Sequence, residues 1–192
     1  MSSTITYINE LGKDITFQET NNLDGYFKIF YDNDHPTKKE YYVNGALRST
    51  SYIVQRQSDI DSILINNPTT SFEYSYYQSS YNINELTAYV QGVLMEKRSN
   101  VFNSAGRLIC SKLYRLKNDS LTVINTEKYH YDSNNEDKYY FIYNNDGACF
   151  QVFDLQLDSA DFYVWSIGVD PNITFTWSGF EYYQNAEPLV PN

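Results

Sequence analysis

Apolar and polar side chains alternate at period two along much of this chain. Ile173, Phe175 and Trp177 interleave with Thr174, Thr176 and Ser178. Phe72, Tyr74 and Tyr76 interleave with Glu73 and Ser75, and Leu121 and Val123 flank Thr122. Phe27, Ile29 and Tyr31 share a face opposite Tyr26, Lys28 and Phe30. A period of two sends successive side chains to opposite faces of a strand, which predicts antiparallel sheet with one buried and one wetter side. Turn signals separate these runs at Leu11–Asp14, Asp24-Gly25, Asn44-Gly45, Ser104–Gly106, Asn144–Gly147 and Ser178-Gly179. Asn, Asp and Gly accept the positive φ that tight hairpins need.

Two stretches carry helical signals. Over residues 58–66, Ser58 stands as an N-cap, Asp59 and Asp61 follow, and Ile60, Ile63 and Leu64 form one apolar face, so a short helix is expected. Over residues 83–90, Asn82 and Glu85 resemble a capping box. A hairpin at Tyr89–Leu94 explains the second half of that stretch better. The pattern therefore predicts an all-β, mainly antiparallel fold: a meander of hairpins forming a curved sheet or a partly closed barrel, in a single domain over residues 1–192.

The hairpin preference comes from a repeat. Tyr42-Val43-Asn44-Gly45-Ala46-Leu47 and Tyr89-Val90-Gln91-Gly92-Val93-Leu94 share one pattern. Phe102–Leu108 is a longer copy, Tyr143–Cys149 has Cys at the closing apolar position, and Tyr31–Tyr41 is degenerate. In each unit an aromatic ends one strand, a turn residue reverses the chain, and an apolar residue opens the next. This unit resembles the MORN-like antitoxin repeat, with Glu40–Arg48 as the nearest match and residues 26–55 and 86–115 as the extent of the likeness. The glycines are unevenly spaced and residues 150–192 contain no unit, so one sheet is expected in place of a regular solenoid. The resemblance implies binding to other proteins, including toxin neutralisation, and no catalytic residues.

Composition narrows the class. The 192 residues are 42% hydrophobic and 17% aromatic, too apolar for a disordered chain. No apolar run reaches the ~18–20 residues that span a bilayer. The opening Met1–Glu10 has neither a basic region nor an apolar core, so no secretory signal is expected there and Cys110 and Cys149 are expected as reduced thiols of a cytoplasmic protein. Charge is segregated within a net −10. Residues 95–117 carry 6 basic and 1 acidic side chains, residues 118–192 carry 2 basic and 12 acidic, and no Lys or Arg follows Lys138. Such a field repels nucleic acid and anionic membrane and attracts a basic protein. Acidity that serves only solubility explains it equally well. The bases of Lys97–Lys117 are expected to pair with neighbouring acids or to form one small recognition ridge.

Catalytic chemistry is thinly supported. His130 shares a strand face with Thr126 and Lys128, which reads as solvated, and His35 before Pro36 reads as a turn residue. Neither has zinc-ligand spacing. Asp32–Asp34 and Asp132–Asp137 lack the Gly and late Glu of a calcium loop, so loop chemistry accounts for them. No cofactor and no metal are expected.

Tyrosine remains, at 20 residues. Tyr joins large contact area to low entropy cost and a polar tip, which suits interfaces, although an AT-rich coding sequence would also favour it. The leading expectation is a non-catalytic immunity or antitoxin-type module that holds a basic protein partner, such as a toxin, on an acidic, Tyr-rich β surface. Asp154, Asp158, Asp161, Tyr163, Glu181, Tyr182 and Tyr183 are the candidate contacts. Three alternatives stay open: a carbohydrate- or small-ligand-binding barrel using Tyr163, Trp165 and Trp177, an enzyme using His130 or a thiol, and a structural or assembly protein.

Overall fold

The computed structural model describes residues 3–156, the backbone of 164–166, and residues 175–191. Strands dominate it: β1 (Ser3–Asn9), β2 (Asp14–Ile15), β3 (Gly25–Asp32), β4 (His35–Val43), β5 (Ala46–Val54), β6 (Thr70–Gln78), β7 (Tyr81–Val90), β8 (Val93–Phe102), β9 (Leu108–Lys117), β10 (Ser120–Tyr131), β11 (Asp137–Tyr143), β12 (Cys149–Asp154) and β13 (Val164–Ser166). The one α-helix among the described residues, α1 (Asp59–Leu64), falls within the predicted 58–66, and short 3-10 turns occur at Gln18–Asn22 and Glu181–Tyr183. Its Ser58 adopts helical φ/ψ and makes no side-chain cap, and Arg56 pairs with Asp59 at 3.1 Å instead. Residues 83–90 are strand, as the hairpin reading required.

Strand order is β13-β12-β11-β10-β9-β8-β7-β6-β5-β4-β3-β1-β2, a linear series with two ends, so the sheet is not closed. The ladders from β2 through β5 and from β8 through β13 are antiparallel, whereas at β5–β6 α1 carries the chain across to a parallel pairing of Ser51 with Ser71 through Val54 with Tyr74. Parallel neighbours need a crossover, and this one uses a single short helix. Contacts divide the chain into two compact units, residues 1–75 with 86–95 and residues 76–85 with 96–192.

Two turn types recur among the hairpins. Asn44-Gly45 and Gln91-Gly92 have positive φ at both positions, +51 and +73° and +51 and +78°, as a two-residue loop demands. The second type recurs four times with one hydrogen-bond pattern. At Asn9, Asn103, Asp132 and Asn144, the residue's N–H donates to the carbonyl four positions on, and its side-chain oxygen accepts from the N–H groups two and four positions on. The fourth residue of each turn takes positive φ: Gly12, Gly106, Asn135 and Gly147. Removing the side-chain acceptor with Asn103→Ala frees two backbone donors and is expected to cost about 1 kcal/mol, read from the urea midpoint. Asn103→Asp keeps the acceptor and should retain most of that stability.

The predicted turn at Asp24-Gly25 is absent, because Gly25 opens β3 opposite Val43. A Cβ on Gly25 would lie 2.5 Å from the Glu10 carboxylate. The predicted strand at Ile173–Ser178 also needs correction over its described part. Phe175–Trp177 lie outside any strand. Their alternation instead directs Phe175 and Trp177 onto buried Phe141, at 5.8 and 6.3 Å between ring centroids.

Each unit has its own core. In the first, Val54, Ile60 and Phe72 are buried, with Tyr52, Ile63, Leu64, Tyr74 and Tyr89 packed around them. In the second, one cluster joins Ile83, Val101, Ile109, Cys110 and Val190, and another joins Phe141, Tyr143, Cys149, Val152 and Ala186.

Candidate functional site: a tyrosine face in the first unit

Register places three rows of side chains on one face of the first unit. Asn9, Tyr26 and Tyr42 stand directly opposite one another on β1, β3 and β4. The next row is Tyr7, Lys28, Glu40 and Thr50. The third is Ile5, Phe30, Lys38, Tyr52 and Phe72. Successive residues on a strand alternate faces, so residues two apart align these rows side by side.

The rows interlock. Tyr26 and Tyr42 stack at 5.1 Å with 3° between planes, and Tyr7 tilts against Tyr26 at 6.3 Å. The Tyr42 hydroxyl donates to Glu40 at 2.9 Å, and Lys38 bridges the same carboxylate at 2.8 Å. Burial pushes the Glu40 carboxyl up, but donation from Lys38 and Tyr42 outweighs it and leaves the group below its ordinary pKa. Lys38 Nζ also lies 3.9 Å from the Phe30 centroid, and Lys28 Nζ lies 4.8 Å from it. On the opposite face Lys39 covers Phe27 at 4.1 Å, Phe27 stacks on Tyr41 at 4.7 Å, and the Tyr41 hydroxyl donates to Glu10.

This arrangement has an electrostatic consequence. The three lysines of β3 and β4 are spent on rings and on Glu40. The exposed carboxylates Asp24, Asp32 and Asp34 take part in no ion pair among the described residues. Asp24 rims a recess of about 450 Å³ beside Tyr26, with Asn21, Asn22 and Asn44. Asp32 rims a trough of about 760 Å³ whose apolar lining includes Ile5, Phe30, Tyr52 and Ile63. The face thus carries fixed aromatic rings in the middle and exposed, unpaired carboxylates at both ends, with Arg56 at the Asp32 end paired to Asp59.

The predicted contact residues lie elsewhere. Asp158, Asp161 and Tyr163 are outside the described residues, as is the Trp165 side chain. Asp154 ends β12 opposite Tyr139 and accepts from the Gln156 N–H at 3.1 Å. Glu181 is exposed and accepts from the Gly179 N–H at 3.0 Å. Tyr182 and Tyr183 face inward. The Tyr182 hydroxyl donates to the Leu189 carbonyl, and the Tyr183 ring stacks on Phe141 at 4.6 Å. Trp177 packs within the same cluster.

What draws Tyr182 inward is Lys128. This side chain is fully buried and its Nζ donates to the carbonyls of Tyr182, Asn185 and Pro188 at 2.7, 2.8 and 2.9 Å, lying 3.7 Å from the Tyr182 centroid. Lys112 reaches Glu187 of the same segment. The β10 face carrying Thr126, Lys128 and His130, read as solvated from sequence, is therefore the covered one. His130 is half-buried between Tyr139, Phe180 and Tyr183, and burial lowers its pKa, assisted by Lys138. Of the other bases of the basic strip, Lys97 pairs with Glu85 and Arg115 with Glu96, each at 2.8 Å, Arg107 lies 5.5 Å from the Tyr131 centroid, and Arg98 and Lys117 are exposed.

Both thiols are free and buried. Burial pushes Cys110 up to about 11 and Cys149 to about 12. Burial also pulls Lys128 down to about 8, against the three carbonyls and the ring that favour its charged form. A thiol protonated more firmly in the fold than in the unfolded chain stabilises fully below the unfolded pKa and loses that contribution as pH rises through the folded value. The buried ammonium acts oppositely, so its penalty is relieved above about pH 8. Stability should hold or rise slightly from pH 8 to 9, then fall above pH 9 as two thiols outweigh one lysine. Urea midpoints across pH 8–11 check this, and Cys110→Ala with Cys149→Ala should flatten the decline between pH 9 and 10.

No family model matches the chain, and no curated protein or solved structure matches it. Among the described residues no helix is long and apolar enough to cross a membrane, and no group of three His, Cys, Asp or Glu is placed to hold a metal ion.

Proposed function

We propose that this protein is a non-catalytic binding module of the immunity or antitoxin type, which holds a basic protein partner on the tyrosine face of its first unit. The observation that carries this reading is the charge arrangement: lysines retired onto rings and Glu40, with Asp24, Asp32 and Asp34 left exposed around stacked tyrosines. The carboxylates would steer a cationic partner, and Tyr7, Tyr26 and Tyr42, already fixed by stacking, would anchor it with little further loss of side-chain freedom. The likeness of Glu40–Arg48 to the MORN-like antitoxin repeat points the same way, since that segment forms the β4–β5 hairpin of this face.

The test is association with the cationic product of a neighbouring reading frame, co-expressed and then titrated with the purified chain. A one-to-one complex that weakens about tenfold between low and moderate salt is expected. Asp24→Asn, Asp32→Asn and Asp34→Asn together should slow association about tenfold and flatten the salt dependence. These side chains are exposed, so the variant should fold. Binding with unchanged kinetics and salt response would reject the electrostatic mechanism, and failure of every cationic neighbour to bind would reject the function.

A further inference from the structure

The third row of that face is covered at one end and open at the other. At Phe72 and Tyr52 it runs beneath α1, where Ile60 and Ile63 complete the core. At the other end stands Ile5, 47% exposed on β1. The trough between them has a wall on the α1 side, from Asp59 and Ile63, and on the β1 side is lined only by the exposed strand residues Ser3, Thr4 and Ile5. Among the described residues only β2 lies beyond β1, and it pairs with Tyr7 and Ile8 alone. Ser3–Thr6 are exposed, and among the described residues no strand pairs with them on that side.

Proteins usually blunt such an edge with lysine, proline or a bulge. β1 carries no charged residue and no proline, and its register with β3 runs unbroken from Ser3 to Asn9. A strand laid along Ser3–Thr6 would send every second side chain to the trough face, next to Ile5, and supply the missing wall. Charge selects the occupant further. Ser3 lies opposite Asp32, and Asp34 follows in the adjoining turn, both exposed and outside any ion pair among the described residues, while the cations of the trough, Lys38 and Arg56, are paired with Glu40 and Asp59.

We propose that the Ser3–Thr6 edge of β1 is a strand-addition site. Its occupant is an extended segment of a partner protein that places an apolar side chain in the Ile5–Phe30–Tyr52 trough and a Lys or Arg near Asp32 and Asp34. This rests on the protein-binding reading above and names the binding mode within the same unit.

The probe is a synthetic peptide, Lys-Thr-Val-Thr-Ile-Thr-Val, titrated against the full chain, beside a copy N-methylated at alternate residues. The peptide should bind one-to-one and protect the Ser3–Thr6 amides from hydrogen exchange. N-methylation removes backbone donors and should weaken binding at least about tenfold. Ile5→Lys, an exposed substitution, should do the same, and Asp32→Asn with Asp34→Asn should weaken the Lys-bearing peptide but not one with Thr in place of Lys. Equal binding of the methylated copy, or protection elsewhere, overturns the proposal. So does a dimer that Ile5→Lys abolishes, which would make the occupant a second copy. If a cationic partner binds and Ile5→Lys leaves its affinity unchanged, strand addition fails while the protein-binding function stands. If the peptide behaves as expected and no cationic partner is found, the function fails and the edge site stands.

Discussion

Lys128→Met is expected to lower the unfolding free energy by about 3 kcal/mol, because three carbonyls gathered around one buried ammonium lose their donor at once. Methionine matches the length and removes the cost of burying an ammonium, which offsets part of the loss. The balance still favours destabilisation, since each orphaned acceptor costs about 1–3 kcal/mol. The damage should also be local. Tyr182, Asn185 and Pro188 belong to the C-terminal segment, which is further tied by Tyr143 donating to the Tyr183 carbonyl at 2.7 Å and by the Ala186 N–H donating to Gly147 at 2.7 Å. Urea unfolding gives the magnitude. Hydrogen exchange of the amides between Tyr182 and Val190 should accelerate more than that of Phe72 and its neighbours. A loss below about 1 kcal/mol would mean the carbonyls find other donors and Lys128 is no anchor.

Phe141→Ala should cost about 3–5 kcal/mol, the range for deleting a buried aromatic that its surroundings cannot collapse onto. Phe141 is fully buried, stacks on Tyr183 at 4.6 Å, and meets Phe175 edge-on at 5.8 Å and Trp177 at 6.3 Å. Three of these rings come from the C-terminal segment and cannot follow the shrinking side chain without breaking the backbone bonds that hold that segment. Phe141→Leu should recover about half the loss, because it restores apolar volume but not the ring contacts. The denaturant midpoint and tryptophan fluorescence read both variants, since Trp177 reports on the cavity. A Phe141→Ala loss under about 1 kcal/mol would show that the segment repacks freely.

The two variants probe the feature hardest to read in advance. Lys128 sits in Thr126-Glu127-Lys128-Tyr129-His130, where alternation marks two faces of a strand but not which one is covered. The face with the charged and hydroxyl groups proved to be the buried one, because the residues that satisfy Lys128 are backbone carbonyls 54 to 60 positions away. One signal was available. Lys128 is one of two basic residues among twelve acidic ones after residue 117, which marks it as a cation with many potential acceptors. Tyr182 and Tyr183 look like interface residues in sequence for the same reason that they serve in a core: each has a large ring and one polar tip, and here the tip is spent internally, on the Leu189 carbonyl and on the Tyr129 carbonyl and His130.

The tyrosine face shows the complementary case. Tyr41-Tyr42-Val43-Asn44-Gly45 was legible as an aromatic strand running into a turn, and its neighbours on β3 were legible from alternation. That Tyr26 stacks on Tyr42, or that Lys38 leaves solvent for Glu40 and Phe30, depends on register across strands, which no single segment records.

The sequence by itself determined the all-β class, most of the hairpins and the short helix, because alternation, positive-φ turn residues and an i, i+3, i+4 apolar set act over a few neighbouring residues; Asp24-Gly25 and Phe175–Trp177 escaped it because distant strands and Phe141 decide their conformation. The parallel crossing at β5–β6, the open edge of β1, the burial of Lys128 and the exposure of Asp32 were decided only by tertiary structure. Each depends on which distant backbone comes to lie against a strand, and that is a property of the assembled sheet.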